Sequence, residues 1–205
     1  MNRVAVIDYG RCNLDSIARA VEECGGTPRL ARAPADLDAV DRVILPGVGS
    51  FRDAMERLSE RRLDDALTER VMHGRLPFLG ICLGMQLLAS VGTEGGESPG
   101  LGWIAGRVRR LAPADGSERV PHVGWNEVLP RGDAPLFLGI APATDFYFVH
   151  SFHMQCAAED CVTARTPYCG GFISSVARGS VFGVQFHPEK SLRPGFTLLR
   201  NFLAI

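Results

Sequence analysis

A cysteine stands between two glycines in the stretch GICLG (residues 80–84), directly after the apolar run 77–81. This spacing matches the G-x-nucleophile-x-G pattern, in which the nucleophile occupies a sharp turn from a strand into a helix. The glycines leave room where strand and helix crowd the turn, and the helix start favours a thiolate at the sulfur. The pattern therefore favours a catalytic Cys82 over a buried cysteine in ordinary strand–helix packing, which needs no flanking glycines.

A cysteine nucleophile also requires a base, and the base requires a group that orients it. The segment VFGVQFHPEK (residues 181–190) runs an apolar strand into His187, followed two residues later by Glu189. Side chains separated by one residue in an extended segment point the same way, so the carboxylate can hold the imidazole. We predict His187 as the base and Glu189 as its orienting group; the alternative is a strand-end histidine capped by a neighbour.

Backbone amides are suited to stabilise the oxyanion that develops during acyl transfer, because they are fixed in place before the reaction. One candidate is the amide of Leu83, directly after the nucleophile. The loop LPGVGSF (residues 45–51) offers a second, since its glycines permit the backbone angles that turn an amide toward a ligand. A purely structural turn between a strand and a helix is the alternative for this loop.

The elements that must position these groups alternate between strands and helices in the first half of the chain. The apolar runs 4–8, 43–45 and 77–81 predict strands, and helical spacing follows each of them, with the third helix over 83–91. Strand-like pieces dominate the middle, the stretch 171–186 predicts two strands with a turn at 178–180, and a helix over 196–203 closes the chain. We predict one domain, residues 1–205, with a three-layer α/β/α fold whose central sheet is mostly parallel and carries extra antiparallel strands.

Composition excludes several classes of function. The 205 residues are 46% hydrophobic with a net charge of −1, and no basic patch or long apolar run indicates nucleic acid or a membrane. The six cysteines lack paired C-x-x-C spacing and nothing indicates secretion, so we expect free thiols, no metal, no cofactor and a cytoplasmic location.

Three motifs in this order, PGVGSF, GICLGMQLL and VFGVQFHPEK, resemble those of the class I (triad-type) glutamine amidotransferases. The further stretches IDYG…NL, GLGWIAGRV, VPHVGWN, YFVHSF and HPEKS…G…LLRNF resemble the glutaminase subunits of imidazole glycerol phosphate synthase, from histidine biosynthesis. The resemblance covers nearly the whole chain.

The resemblance implies a mechanism. Cys82 would attack the side-chain amide of L-glutamine to form a glutamyl thioester, and His187, oriented by Glu189, would protonate the leaving ammonia and then activate water. The implied oxyanion hole uses the amides of Val48 and Leu83, completed by a peptide reorientation at Gly47 and Gly49. The implied glutamine-binding residues are Gln86, His150, Ser151 and Phe152.

The resemblance also implies a partner, a (β/α)8-barrel synthase that forms a heterodimer with this chain. Ammonia would pass through the barrel to a ribonucleotide intermediate, giving imidazole glycerol phosphate and aminoimidazole carboxamide ribotide. Trp125 would be an interface anchor, with ordinary core packing as the alternative. The implied docking residues are Asn13, Pro121, Trp125, Asn126 and Lys190.

One departure concerns the partner. Arg11-Cys12 follows Tyr9-Gly10, where the family usually carries a Met-Gly type pair. A changed docking loop leaves open a barrel paralogue of surface-polysaccharide sugar biosynthesis as partner. A free-standing cysteine hydrolase and a non-catalytic scaffold subunit are also compatible with the sequence. The sequence does not decide the roles of Cys12, His122 and His153.

Overall fold

A computed structural model describes residues 2–10, 14–114, 116 and 118–205. In these residues the helices are α1 (Leu14–Glu23), α2 (Phe51–Glu60), α3 (Leu63–Thr68), α4 (Leu83–Gln86) and α5 (Leu192–Ala204), with a π-helical turn at Glu69–His73 and 3₁₀ turns at Pro34–Leu37, Pro135–Phe137 and Pro188–Lys190. The strands are β1 (Arg3–Ile7), β2 (Thr27–Ala31), β3 (Arg42–Gly47), β4 (Phe78–Cys82), β5 (Ala89–Gly92), β6 (Ser98–Pro99), β7 (Ile104–Arg110), β8 (His122–Pro130), β9 (Thr144–His150), β10 (Phe152–Cys156), β11 (Val162–Thr166), β12 (Phe172–Arg178) and β13 (Val181–Val184).

Nine strands of the described chain form one mixed sheet in the order β2-β1-β3-β4-β13-β12-β11-β8-β9. The five strands from β2 to β13 pair in parallel, and the remaining strands pair antiparallel. A second sheet has the order β10-β7-β5-β6. The predicted α/β fold, a parallel sheet extended by antiparallel strands, is therefore confirmed.

The parallel strands are covered on both faces, as their continuous apolar runs predict. Successive residues of β1 and β3 alternate between two apolar clusters, so these clusters lie on opposite faces of the sheet. Helices α2 and α3 contribute to one cluster, while α1 and α5 contribute to the other. This arrangement gives the three layers and aligns the carboxyl ends of β3, β4 and β13 at one edge of the sheet.

The predicted length of the helix over 83–91 was wrong. Helix α4 ends at Gln86, and the chain enters the second sheet as β5. Leu87, Leu88 and Ala89 are completely buried, so this segment has no polar face of the kind that an exposed helix needs.

The last helix begins at Leu192, four residues before the predicted start. Pro194 and Gly195 lie in its first turns, where proline is tolerated, and they hide the helical pattern from the sequence. Among the described residues, no helix is long and apolar enough to cross a membrane.

Candidate functional site

Cys82 lies at a strained turn between β4 and α4. It has φ +55° and ψ −110°, a conformation that a residue with a side chain rarely adopts, and its side chain is almost buried. A Cβ atom on Gly80 would lie 2.5 Å from the carbonyl oxygen of Gly84, and one on Gly84 would overlap the carbonyl oxygen of Leu45. Both glycines are therefore required by crowding around the cysteine.

The sulfur of Cys82 lies between β13 and the end of β9. Gln185 donates a hydrogen bond from Nε2 to Sγ at 3.6 Å, and Sγ lies 3.9 Å from the carbonyl oxygen of Val149. Gln185 is completely buried and was not predicted. Its place directly after β13, the strand that pairs with β4, and two residues before His187 is the only signal of this role in the sequence.

His187 and Glu189 form a buried pair in the segment that follows β13. Nδ1 of His187 lies 2.9 Å from Oε1 of Glu189, and each side chain is at most 5% exposed. Burial lowers the pKa of His187, but the neighbouring Cys82 sulfur and the hydrogen-bonded Glu189 carboxylate outweigh it and raise the pKa to about 10. His187 therefore holds its proton through the neutral range, with Nδ1 turned to Glu189 and Nε2 left for exchange with Cys82.

Ser191 fixes the backbone that carries His187. Its completely buried hydroxyl donates to the carbonyl oxygen of His187 at 2.6 Å and accepts from the amide of Tyr147 at 3.0 Å. The amide of His187 in turn donates to the carbonyl oxygen of Tyr147 at 2.9 Å. Strand β9 and the His187 segment are thus locked together by three hydrogen bonds.

The loop after β3 lies beside the cysteine, because Gly47 is the register partner of Cys82. A Cβ atom on Gly47 would lie 2.6 Å from the hydroxyl of Tyr9 and 2.9 Å from Cβ of Leu83. Gly49 has φ +100°, in the region that favours glycine, and Val48 between them is 47% exposed. The loop therefore presents its backbone atoms to the site, while the Val48 side chain is half exposed to solvent.

A cavity of about 320 Å³ opens at the sulfur. The structure brings together here the predicted Cys82, Leu83, Val48, Gly49, Gln86, His150, Ser151 and Phe152, along with two residues that were not predicted, Glu94 and Val149. Glu94 accepts a hydrogen bond from the amide of Phe51 at 2.9 Å. Gly47, His187, Glu189 and Lys190 lie around a second cavity of about 20 Å³.

The amide of Gln86 has a fixed orientation. Its Nε2 donates to the carbonyl oxygen of Phe152 at 2.8 Å and to Oε1 of Gln185 at 3.0 Å. Both N–H groups are thereby used, so the head of this side chain can offer a substrate only its carbonyl oxygen.

The docking residues implied by the resemblance fall into three groups. Trp125 is 49% exposed, which excludes core packing, and its ring lies 5.9 Å from that of Tyr147, over which Lys190 Nζ also lies at 5.9 Å. Pro121 is exposed beside them in sequence, whereas Asn126 is half-buried. Asn13 lies outside the described residues, as do Arg11 and Cys12.

In the part of the chain that the structure describes, no group of three histidine, cysteine or acidic side chains is arranged to hold a metal ion. The described cysteines, which are Cys24, Cys82, Cys156, Cys161 and Cys169, are free thiols.

Comparison with known proteins identifies the family of this chain. The family model of the class I glutamine amidotransferases, "Glutamine amidotransferase class-I", matches residues 5–205. A solved glutamine amidotransferase superposes with a TM-score of 0.77 at 23% identity, covering 98% of this chain and 97% of the other. PurLQS from Thermotoga maritima superposes with a TM-score of 0.77 at 21% identity, covering 100% and 99%. The chain therefore belongs to the class I glutamine amidotransferases.

Similar curated proteins identify a narrower family within this class. The chain is 48% identical over 203 residues to the imidazole glycerol phosphate synthase subunit HisH of Moorella thermoacetica, covering 98% of this chain and 94% of that protein. It is 44% identical over 202 residues to subunit HisH 1 of Campylobacter jejuni (strain RM1221), covering 98% and 100%. Within its class, the chain is a member of the HisH family.

Proposed function

We propose that this chain hydrolyses L-glutamine to glutamate and ammonia with Cys82, His187 and Glu189, and passes the ammonia to a synthase subunit of histidine biosynthesis. The observation that carries the proposal is the strained Cys82 turn beside a buried His187 whose Nδ1 is held by Glu189. The kinship with HisH subunits supports the assignment of the pathway.

In the first half of the reaction, the Cys82 sulfur attacks the carbonyl carbon of the glutamine side-chain amide. The negative charge that develops on the carbonyl oxygen is stabilised by the amides of Val48 and Leu83, which both line the cavity. The C–N bond then breaks as His187 gives its proton from Nε2 to the leaving nitrogen. Ammonia departs and a glutamyl thioester remains on Cys82.

In the second half, His187 accepts a proton from a water molecule that attacks the thioester carbonyl. The C–S bond breaks, glutamate is released and the sulfur of Cys82 is regenerated. Glu189 keeps Nδ1 of His187 protonated throughout, so Nε2 is the atom that exchanges protons in both halves.

The cavity provides groups for both charges of the glutamine backbone. The α-ammonium suits the Glu94 carboxylate and the carbonyl oxygen of Gln86, whose N–H groups are already used. The α-carboxylate suits the 150–152 segment (His150, Ser151 and Phe152), which also lines the cavity. Charge at both ends then selects a free amino acid over an amide within a peptide, which disfavours the alternative of a peptide hydrolase.

The Gly47–Gly49 loop provides the hinge for the oxyanion hole. Gly49 already has a positive φ and Val48 is exposed, so the peptide between them can turn without displacing a buried side chain. We place the switch that completes the hole in this peptide.

The partner is a (β/α)8-barrel synthase bound as a heterodimer over the outer face of β8 and β9. Exposed Val123 and Val149 are register partners on this face, next to the paired Trp125 and Tyr147, and an aromatic centre of this kind is typical of interface anchors. The cavity of about 20 Å³ beside His187 is large enough for one molecule the size of ammonia, and it is lined by Lys190, whose Nζ lies over the Tyr147 ring of this face. The barrel produces imidazole glycerol phosphate and aminoimidazole carboxamide ribotide.

Two further predictions belong with this proposal. The packing of all described helices on the faces of one continuous sheet supports a single domain over residues 1–205. A cytoplasmic location fits a biosynthetic subunit with free thiols.

The test is a glutaminase assay with and without the barrel subunit. We expect Cys82→Ala to abolish glutamine-dependent synthesis in the complex and to leave synthesis from ammonium salts intact. Cys24→Ala, a matched control at a half-buried thiol remote from the site, should retain both activities. Undiminished glutamine-dependent activity in Cys82→Ala would favour the scaffold alternative, and hydrolysis of peptides but not glutamine would favour the free-standing hydrolase.

A further inference from the structure

A chain of hydrogen bonds runs from Asn126 on β8 to the wall of the glutamine cavity. Nδ2 of Asn126 lies 3.3 Å from Nε2 of His122, and Nδ1 of His122 lies 3.0 Å from Nε2 of His150. Nδ1 of His150 lies 2.8 Å from the carbonyl oxygen of Phe152. His122 and His150 are register partners, so the pairing of β8 and β9 itself brings the two imidazoles together.

Asn126, at the outer end of this chain of hydrogen bonds, determines which atom donates and which accepts in every bond. Oδ1 of Asn126 accepts from the amide of Glu127 at 2.9 Å, so the atom that faces His122 is the donor Nδ2. Nε2 of His122 must then accept, which places the His122 proton on Nδ1. That proton is donated to Nε2 of His150, and the proton of His150 is likewise on Nδ1.

The inner end requires the same direction independently. A carbonyl oxygen can only accept, so Nδ1 of His150 must donate to Phe152. The same carbonyl oxygen accepts from Gln86, which also donates to Gln185, and Gln185 donates to the sulfur of Cys82. The chain therefore continues, without a conflict between donors and acceptors, to the nucleophile.

Both imidazoles are buried in an aromatic environment that keeps them neutral. The His122 ring stacks on Tyr168 at 4.1 Å and on Phe148 at 4.9 Å, while His150 meets Phe172 edge-on at 4.9 Å. Burial lowers the pKa of His122 to about 4 and that of His150 to about 3. Two neutral rings can keep the single donor–acceptor order that both ends require.

We propose that Asn126, His122 and His150 are positioning residues for glutamine hydrolysis, acting as a relay of fixed polarity that holds the Phe152 carbonyl and Gln86 at the substrate. The inference rests on the proposed glutaminase function. Asn126 and the Phe152 carbonyl fix the proton order from opposite ends, so loss of Asn126 removes one of the two constraints. When the His122 proton then moves to Nε2, the lone pairs of His122 Nδ1 and His150 Nε2 face each other within the relay. The glutamine site is thereby coupled to a side chain at the strand that carries the proposed docking face.

The first test is the protonation of the two rings, measured by ¹⁵N NMR of histidine-labelled protein near neutral pH. We expect His122 and His150 to be neutral and protonated on Nδ1, the less common tautomer of free histidine. We expect Asn126→Ala to populate the Nε2-protonated form of His122. Wild-type rings that are cationic, or protonated on Nε2, would overturn the relay whether or not the protein hydrolyses glutamine.

The second test is steady-state glutaminase kinetics in the complex with the synthase partner. His122→Phe keeps the stacked ring but loses both bonds, and we expect KM for glutamine to rise about tenfold with kcat changed less than about threefold, because a buried acceptor is left unpaired beside the substrate wall. His122→Asn can still donate to His150 and should recover KM to within about threefold of the wild type. Tyr168→Phe, which alters the ring stacked on His122 without entering the relay, should leave KM unchanged.

A folded His122→Phe variant with wild-type KM would overturn the positioning role. If that variant fails to fold, Asn126→Ala decides, since its half-buried side chain tolerates truncation; an unchanged KM there contradicts the relay as well. A wild-type complex without glutaminase activity contradicts the proposed function instead, so the two failures are distinguishable.

Discussion

The buried pair of His187 and Glu189 permits a worked prediction for Glu189→Gln. The amide keeps the shape of the side chain and can still accept from Nδ1 of His187, so the change removes mainly the charge. At the observed 2.9 Å, two unit charges in a medium of effective dielectric constant near 20 attract by about 6 kcal/mol. Both charges are delocalised and the amide retains a hydrogen bond, so we expect a net loss of about 2–3 kcal/mol, which corresponds to a kcat about 30- to 150-fold lower.

The assay is kcat at saturating glutamine in the complex, followed across pH. The pKa of His187 is raised to about 10 partly by the Glu189 charge, so removing that charge lowers it and the loss of protonated His187 moves to lower pH. The control is Glu159→Gln, which removes an exposed carboxylate paired with Arg131 and Arg165 and should leave kcat unchanged. A folded Glu189→Gln variant that loses less than threefold in kcat and keeps its pH profile would refute an orienting carboxylate.

Three further outcomes are expected. Gly47→Ala places a methyl group 2.6 Å from the hydroxyl of Tyr9. The urea midpoint of unfolding should fall by an amount equivalent to about 1–3 kcal/mol, and adding Tyr9→Phe should restore part of that loss. An unchanged midpoint would show that the loop moves to accommodate the methyl group without cost. In the unfolded chain His122 and His150 bind protons below about pH 6.5, but in the native protein they do so only below about pH 4 and 3. The free energy of unfolding should therefore fall as pH drops from about 6.5 to 4, because these two histidines take up about two protons on unfolding near pH 5. Urea unfolding followed against pH measures this uptake, and His122→Asn should reduce it by about one proton. Trp125→Ala should weaken binding of the synthase partner at least tenfold by calorimetry while leaving the unfolding midpoint unchanged; undiminished affinity would move the docking face elsewhere.

The local parts of the site could be predicted because their geometry is encoded within a few residues. Two glycines around Cys82 and the one-residue gap between His187 and Glu189 determine turn and direction wherever the segment lies. The central parallel strands were equally accessible, since burial on both faces leaves a continuous apolar run.

The missed residues act through contacts that join distant segments. Gln185 reaches Cys82 across 103 positions, and Glu94 reaches Phe51 across 43. Each is an ordinary polar residue in its own sequence context, and only the neighbouring strands give it a function. Strand β2 was also missed, because Pro28 and Arg29 in an edge strand interrupt the apolar alternation that would have indicated it.

Because β8 pairs with β9 in one sheet, alternate residues of β8 face opposite sides of that sheet and have different roles. Val123 and Trp125 belong to the exposed row, while His122 and Asn126 belong to the row that contacts the interior. Inserting or deleting one residue ahead of His122 would exchange the two rows. Evolution can therefore alter either row by substitution, but a change in the length of this strand would disrupt both at once.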